Sequence, residues 1–281
     1  MLAEDYKARY LAFRIQQIEV QRLRRILAGP AGLRLKPLVK AIVKGAFFRA
    51  VGAPADLDAV TAEALALAGV GTGALLTPEQ MARKIESVTG LTYRSGLQPD
   101  GRDMFRSFRE FRLMFGGTDW DATPQRYRDP NAMSVRIAMR AANQVACLAV
   151  PQDFAIIDPA ARRLFPNVDL TTTPDGAGEA QIRTEIRRLH RLLLGEELED
   201  GHPELEATYQ LFVQAREALQ GGSSQGGRGG MSCDATTAFT VDETPYPSAT
   251  HRVVDSDPNV TVRPWIAVVA YLMSDGRFFL Q

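Results

Sequence analysis

Cysteine, histidine and tryptophan are scarce in this chain: two, three and two residues among 281. Two cysteines, Cys147 and Cys233, cannot supply a four-ligand zinc site, and no Cys-x-x-Cys-His run is present for covalent haem attachment. The histidines, His190, His202 and His251, lie far apart, and no His-Glu-x-x-His pair exists. Each reads as an ordinary surface or capping residue. No Gly-x-Ser-x-Gly nucleophile elbow occurs. Neither sign of charge is in excess: 33 Lys and Arg balance 33 Asp and Glu. That excludes a nucleic-acid binder acting through bulk positive charge. No run of ~18 apolar residues is available for a transmembrane helix. The first 27 residues are charged throughout and hold no apolar signal-peptide core. The expectation is either a cytoplasmic protein or a chain that begins downstream of an exported segment.

What the sequence does have is helical periodicity. Residues 4–28 read as an amphipathic helix stopped by Gly29-Pro30. Residues 36–51 read as a second, with Pro37 in the first turn and Lys36, Lys40 and Lys44 on one stripe, taken as a solvated face. Ala59 to Gly69 has helical propensity. Thr77-Pro78-Glu79-Gln80 spells a capping box that opens a helix ending at Gly90. Further helices are expected over 102–115, 131–149 (ending before Pro151), 159–165, 178–194, 203–219 and 264–272. The pair 178–194 and 203–219 reads as an antiparallel hairpin. The prediction is an all-α, multi-helical fold with a long extended loop before the final helix. Residues 1–220 form the helical core, with a possible sub-boundary near 166–178. Residues 221–230, GGSSQGGRGG, are a flexible linker. Residues 231–281 are an extended excursion plus a last helix that packs back.

Few motifs invite chemistry. Gly69 to Gly73 spells Gly-Val-Gly-Thr-Gly, but no strand precedes it and no phosphate-binding Lys follows, so a phosphate loop is not expected. The Arg run 102–112 has Asp100, Asp103 and Glu110 beside it, which favours local ion pairs. The most unusual segment is the acidic loop 116–129, FGGTDWDATPQRYRD in its setting. Asp119, Trp120, Asp121 and Asp129 are its candidate site residues. An Asp-x-Asp loop can offer some of the six to eight oxygens that calcium takes, yet the twelve-residue EF-hand pattern is missing. Asp119 and Asp121 are therefore weak metal candidates. The plainer reading has Gly116-Gly117 turning the chain, Asp121 or Thr123 capping and Trp120 packing. No cofactor is expected. Cys147 and Cys233 read either as two buried thiols or as one long-range disulfide, the latter needing an oxidising compartment.

Four stretches carry a resemblance: LKPLVKAIVKGAFFRAVGA (35–53), LLTPEQMARKIESVTGL (75–91), FREFRLMFGGTDWDATPQRYRDPNAMSVRIAMRAANQVACLAVPQDF (108–154) and DPNVTVRPWIAVVAYLMSDGRFFLQ (257–281). Together they resemble the carboxy-terminal region of large uncharacterised bacterial proteins, abundant in planctomycetes, whose helical modules accompany a c-type cytochrome domain. The Leu-x-x-Phe-Gly-Gly-x-Asp core of the 108–154 stretch is the most specific part. The resemblance implies a periplasmic or envelope setting and a non-catalytic structural or binding role. The partner would be a larger or cytochrome-containing assembly. Export in turn favours the Cys147–Cys233 disulfide. The alternatives are a metal-dependent hydrolase using the acidic loop and a cytoplasmic helical adaptor.

Overall fold

The computed structural model describes residues 3–29, 35–50, 57–71, 73–95, 101–107, 109–119, 121, 123–127, 129–221, 254 and 257–280. Among them the fold is all-α, with no strand and only isolated β-bridges. The chain forms two compact units, Met1–Ala74 and Leu75–Gln281. The boundary follows the Gly-Val-Gly-Thr-Gly run, whereas the sequence suggested a sub-boundary near 166–178.

The first unit holds α1 (Ala3–Leu27), α2 (Leu35–Lys44), α3 (Ala46–Arg49) and α4 (Ala59–Ala68). Asp58 caps α4 by accepting from the Thr61 amide, and Gly69 ends it at φ 80°. The helix expected over 36–51 is broken at Gly45. A side chain there would meet Arg22 Nη2 at 3.1 Å and Glu19 Oε1 at 3.2 Å. Those two groups pair with each other at 2.7 Å, and Arg22 also donates to the Ala41 carbonyl at 3.1 Å. The ion pair on α1 thus occupies the space against which the α2–α3 joint sits.

The second unit contains α5 (Pro78–Thr89), α6 (Arg109–Met114), α7 (Ala132–Ala155), α8 (Ala177–Leu189), α9 (Pro203–Gln220), α10 (Val262–Ser274) and α11 (Gly276–Phe279). The capping box at Thr77 and Gln80 forms as the sequence spelled it, and Gly90 closes α5 at φ 76°. Asn131 and Ser134 make a second box at the start of α7. Helix α10 packs along α7 and also against α9. The face that α7 buries includes Ala138, Ala141, Ala142, Ala146 and Ala149. Small side chains let backbones come close. From α10 come Trp265, Val268, Val269 and Leu272, all fully buried. Trp265 sits between Phe165 and Phe212, with ring centroids 5.1 and 4.8 Å away. A second aromatic group, Tyr93, Phe105, Phe111 and Phe115, packs at centroid distances of 5.0 to 6.0 Å. The chain end returns to the unit's start: Leu75 pairs with Leu280, and the Leu76 amide donates to the Phe279 carbonyl at 2.9 Å.

Four expected boundaries are corrected. Helix α6 begins only at Arg109, because the Asp103 carboxylate accepts from the Phe105 and Arg106 amides and turns the chain first. Helix α7 runs through Pro151 to Ala155. An internal proline costs about 3 kcal/mol. Burial of Phe154, about 1.5–3 kcal/mol by itself, and the hydrogen bonds of Asp153 to three backbone amides offset it. The expected helix 159–165 is only a 3-10 turn, Pro159–Ala161. Helix α8 widens into a π turn over His190–Leu194 before Gly195. The linker beyond Gly221 and most of the excursion, including Cys233, lie outside the described residues.

Trp265 tests this core. Its indole Nε1 is buried with no hydrogen-bond partner among the described residues. We expect Trp265→Ala to lower unfolding free energy by about 3–5 kcal/mol in urea titrations. Trp265→Phe should lose far less, since it keeps an aromatic ring and removes an unsatisfied donor. Equal losses would mean that ring packing is not what stabilises the site.

Candidate functional site

The acidic loop starts where α6 stops. Gly116 takes φ 104°, a backbone that side chains resist. Gly117 is pinned for another reason: a Cβ would lie 2.8 Å from the Arg112 carbonyl oxygen. The chain then folds back on itself, with the Asp119 amide donating to the Thr123 carbonyl at 2.9 Å. Inside this turn Asp119 Oδ1 accepts from the Asp121 amide at 2.8 Å, and Oδ2 accepts from Arg109 Nε at 2.5 Å. Both carboxylate oxygens of Asp119 therefore face protein donors. Asp121 and Asp129 are exposed. Trp120 lies outside the described residues. No group of three or more metal-ligating side chains converges among the described residues. In the Arg run, Arg106 pairs with its neighbour Asp103 as the sequence suggested, but it also reaches Glu86 on α5, and Arg109 bonds Asp119 in the loop.

The most concentrated buried charge lies elsewhere, at the end of α7. Asp153 Oδ1 accepts from the Arg163 amide at 2.8 Å. Its Oδ2 accepts from the Leu164 and Phe165 amides at 3.1 and 2.9 Å. Burial pushes this carboxyl above its ordinary value, and the three amides pull against that. Arg162, its side chain fully buried, reaches the carbonyls of Ile156 and Val168 at 2.8 and 2.9 Å and the Asp169 carboxylate at 3.2 Å. Glu185 on α8 accepts from the Asn167 amide at 3.0 Å and pairs with Arg188, which donates to the Leu164 carbonyl at 2.9 Å. Burial raises the Glu185 carboxyl as well. These four side chains grip the irregular segment 156–169. Their hydrogen bonds satisfy backbone groups that a helix would have satisfied internally.

A third polar group joins α8 to α9. His190 is fully buried. Its Nδ1 lies 3.0 Å from Glu196 Oε2, and its Nε2 lies 3.1 Å from the Thr208 hydroxyl. Glu196 also bonds Arg277, which offsets its charge. Burial pushes the imidazole below its ordinary value, with Glu204 pulling it up and Arg277 pushing it down. A neutral ring has one N–H, and Glu196 can only accept it, so Nε2 accepts from the Thr208 hydroxyl, whose one proton is shared with the Glu204 carbonyl 2.9 Å away. This is a buried tie, where the sequence suggested an ordinary surface or capping role. His202 does cap, its Nδ1 accepting from the Glu204 amide at 3.2 Å. His251 lies outside the described residues.

Cys147 is buried on α7. Sequence reasoning passed over Asp153, Arg162 and Glu185, and read His190 only as an ordinary surface or capping residue. One signal was available: Pro159 and Pro166 keep a helix from running through 156–169, so carbonyls and amides there need outside partners. In comparisons with known proteins, no family model, curated protein or solved structure matches the chain.

Two outcomes follow. Asp153→Ala leaves three amides without their acceptor and should cost about 3 kcal/mol or more by urea unfolding. A loss under ~1 kcal/mol would show that those amides find water instead. For His190, a folded value below the ordinary 6.5 means that the folded state binds fewer protons than the unfolded one. Its contribution to stability is present above pH 6.5 and falls away as pH drops below it. His190→Gln should flatten that slope in denaturation series across this range, and an unchanged slope would refute a neutral buried ring.

Proposed function

We propose that this chain is a non-catalytic helical binding or structural module, accessory to an exported redox assembly that contains a c-type cytochrome. The observation that carries the binding role is the surface of the first unit. Thirteen of the nineteen large hydrophobic side chains exposed among the described residues lie within residues 1–74, and its buried hydrophobics are four alanines, Ala8, Ala12, Ala64 and Ala68. Monomeric proteins rarely leave such a face to water. In the second unit, by contrast, the buried charges are engaged in holding backbone.

The cytochrome partner and the periplasmic or envelope setting rest on the resemblance of the 35–53, 75–91, 108–154 and 257–281 stretches. A Cys147–Cys233 disulfide belongs to the same reading. It would close a loop of roughly 90 residues, for which chain entropy gives about 4–5 kcal/mol. It would also tether the segment after the glycine linker to α7.

The test uses the protein from its native cells. Mild cross-linking followed by haem staining should place haem in the same band as this chain. Thiol labelling after denaturation, without reductant, should find no reactive cysteine. A cross-linked product without haem overturns the cytochrome association. Two reactive thiols per chain overturn the disulfide and remove much of the case for export.

A further inference from the structure

Overall neutrality hides a local excess. Between Val20 and Ala55 the sequence holds eight Arg and Lys and no Asp or Glu. Helices α2 and α3 lie in the middle of this window. On α2, Leu35, Val39, Ile42 and Val43 fall on one stripe, while Lys36, Lys40 and Lys44 fall on the adjoining one. Among the described residues neither stripe is covered: Leu35 is 71% exposed and Val39 55%, and no residue of α2 is buried. The helix touches α1 through its other side, where Arg22 bonds the Ala41 carbonyl. Past the Gly45 joint, α3 adds Phe48, 64% exposed, and Arg49.

We infer that α2 and α3 form an interfacial anchor that lies along an anionic lipid surface. The inference rests on the binding-module reading and names the partner for one part of that surface. Three features select lipid over a protein groove. The apolar stripe and the lysine stripe are neighbours along the whole helix. A helix lying in the plane of a bilayer needs that arrangement, with side chains in the acyl boundary and ammonium groups at the headgroups. The charge is of one sign, complementary to phosphate headgroups over 36 residues of chain. Among the described residues, no carboxylate pairs with Lys36, Lys40 or Lys44, so their charge is available. The sequence reading took the lysines as a solvated face; their exposed apolar neighbours change its meaning.

The full chain should be sedimented with vesicles of phosphatidylcholine plus phosphatidylglycerol and with vesicles of phosphatidylcholine alone. The expected result is binding to the anionic vesicles, weakening as salt is raised. Each basic residue near such a surface contributes about fivefold. Replacing all three (K36Q, K40Q, K44Q) should therefore cut partitioning about a hundredfold. Val39→Ser with Val43→Ser should weaken it too, leaving the circular dichroism spectrum unchanged. Equal binding to both vesicle types, insensitive to the lysine replacements, overturns the inference. So does a dimer in lipid-free solution that the valine replacements break, with no vesicle binding; that result leaves the binding-module reading standing. A monomer that ignores both vesicle types, cross-links to nothing in cells and stays fully folded would sink both.

Discussion

The second unit depends on how closely α10 approaches α7. Helix α7 is 24 residues long, and six of its fifteen buried residues are alanine. That seam holds few large side chains of its own. What fills it comes from α10: Trp265, Val268, Val269 and Leu272. The large residues on one helix and the small ones on the other form one packed surface. The rest follows from their proximity. Helix α9 brings Phe212 against Trp265, and the 156–169 segment brings Phe165 against it as well. Helix α11 folds back so that the chain end meets Leu75 and Leu76.

The irregular 156–169 segment has to run past this core with no secondary structure beyond the 3-10 turn Pro159–Ala161. A buried loop brings amides and carbonyls that need partners. Asp153 and Arg162 answer from within the same stretch of chain, one supplying acceptors and the other donors. Glu185 and Arg188 do the same from α8. The charges are buried, so each is costly alone. They are retained because every one is matched by backbone groups that are equally costly to leave bare. Lys84 plays a related part at the chain end. It donates to the Phe278 carbonyl at 2.7 Å and lies over the Phe278 ring, 4.5 Å from its centroid. Burial lowers it to about 8.

What could be read from sequence was mostly local. The Thr77–Gln80 box and the Gly90 stop were legible because a cap involves only a few neighbouring residues. Pro151 misled because the rule for proline is also local, whereas the gain that carries α7 past it comes from Phe154 against Phe165 and from Asp153 against three amides ten to twelve residues on. Asp103 misled in the opposite direction: the 102–115 pattern suits a helix, but its carboxylate bonds the next amides and turns the chain. His190 looked like an isolated histidine because its partners, Glu196 and Thr208, become neighbours only through the π turn and the α8–α9 hairpin. For the acidic loop, the spacing of Asp119 and Asp121 was visible. That Asp119 faces Arg109 needed the turn at Gly116.

The two units solve the problem of burial in different ways. In the second, fully buried aromatic and aliphatic side chains supply the stabilisation, and its charged groups serve the same packing. In the first, α1 extends about 37 Å at 1.5 Å per residue, while α4 spans about 15 Å. Among the described residues of this unit, much of α1 therefore has no helix of comparable length beside it. The buried hydrophobics are alanines, and an alanine buries little apolar area. Helices of this size are marginal in water unless an apolar face is packed. The large side chains that could provide that packing, Tyr10, Phe13, Ile18, Val39, Ile42 and Phe48 among them, are on the outside. The stabilisation available to the first unit thus lies in whatever covers it. On the binding-module reading, ordering these helices and binding a partner are two parts of one free-energy change, and the same side chains determine both.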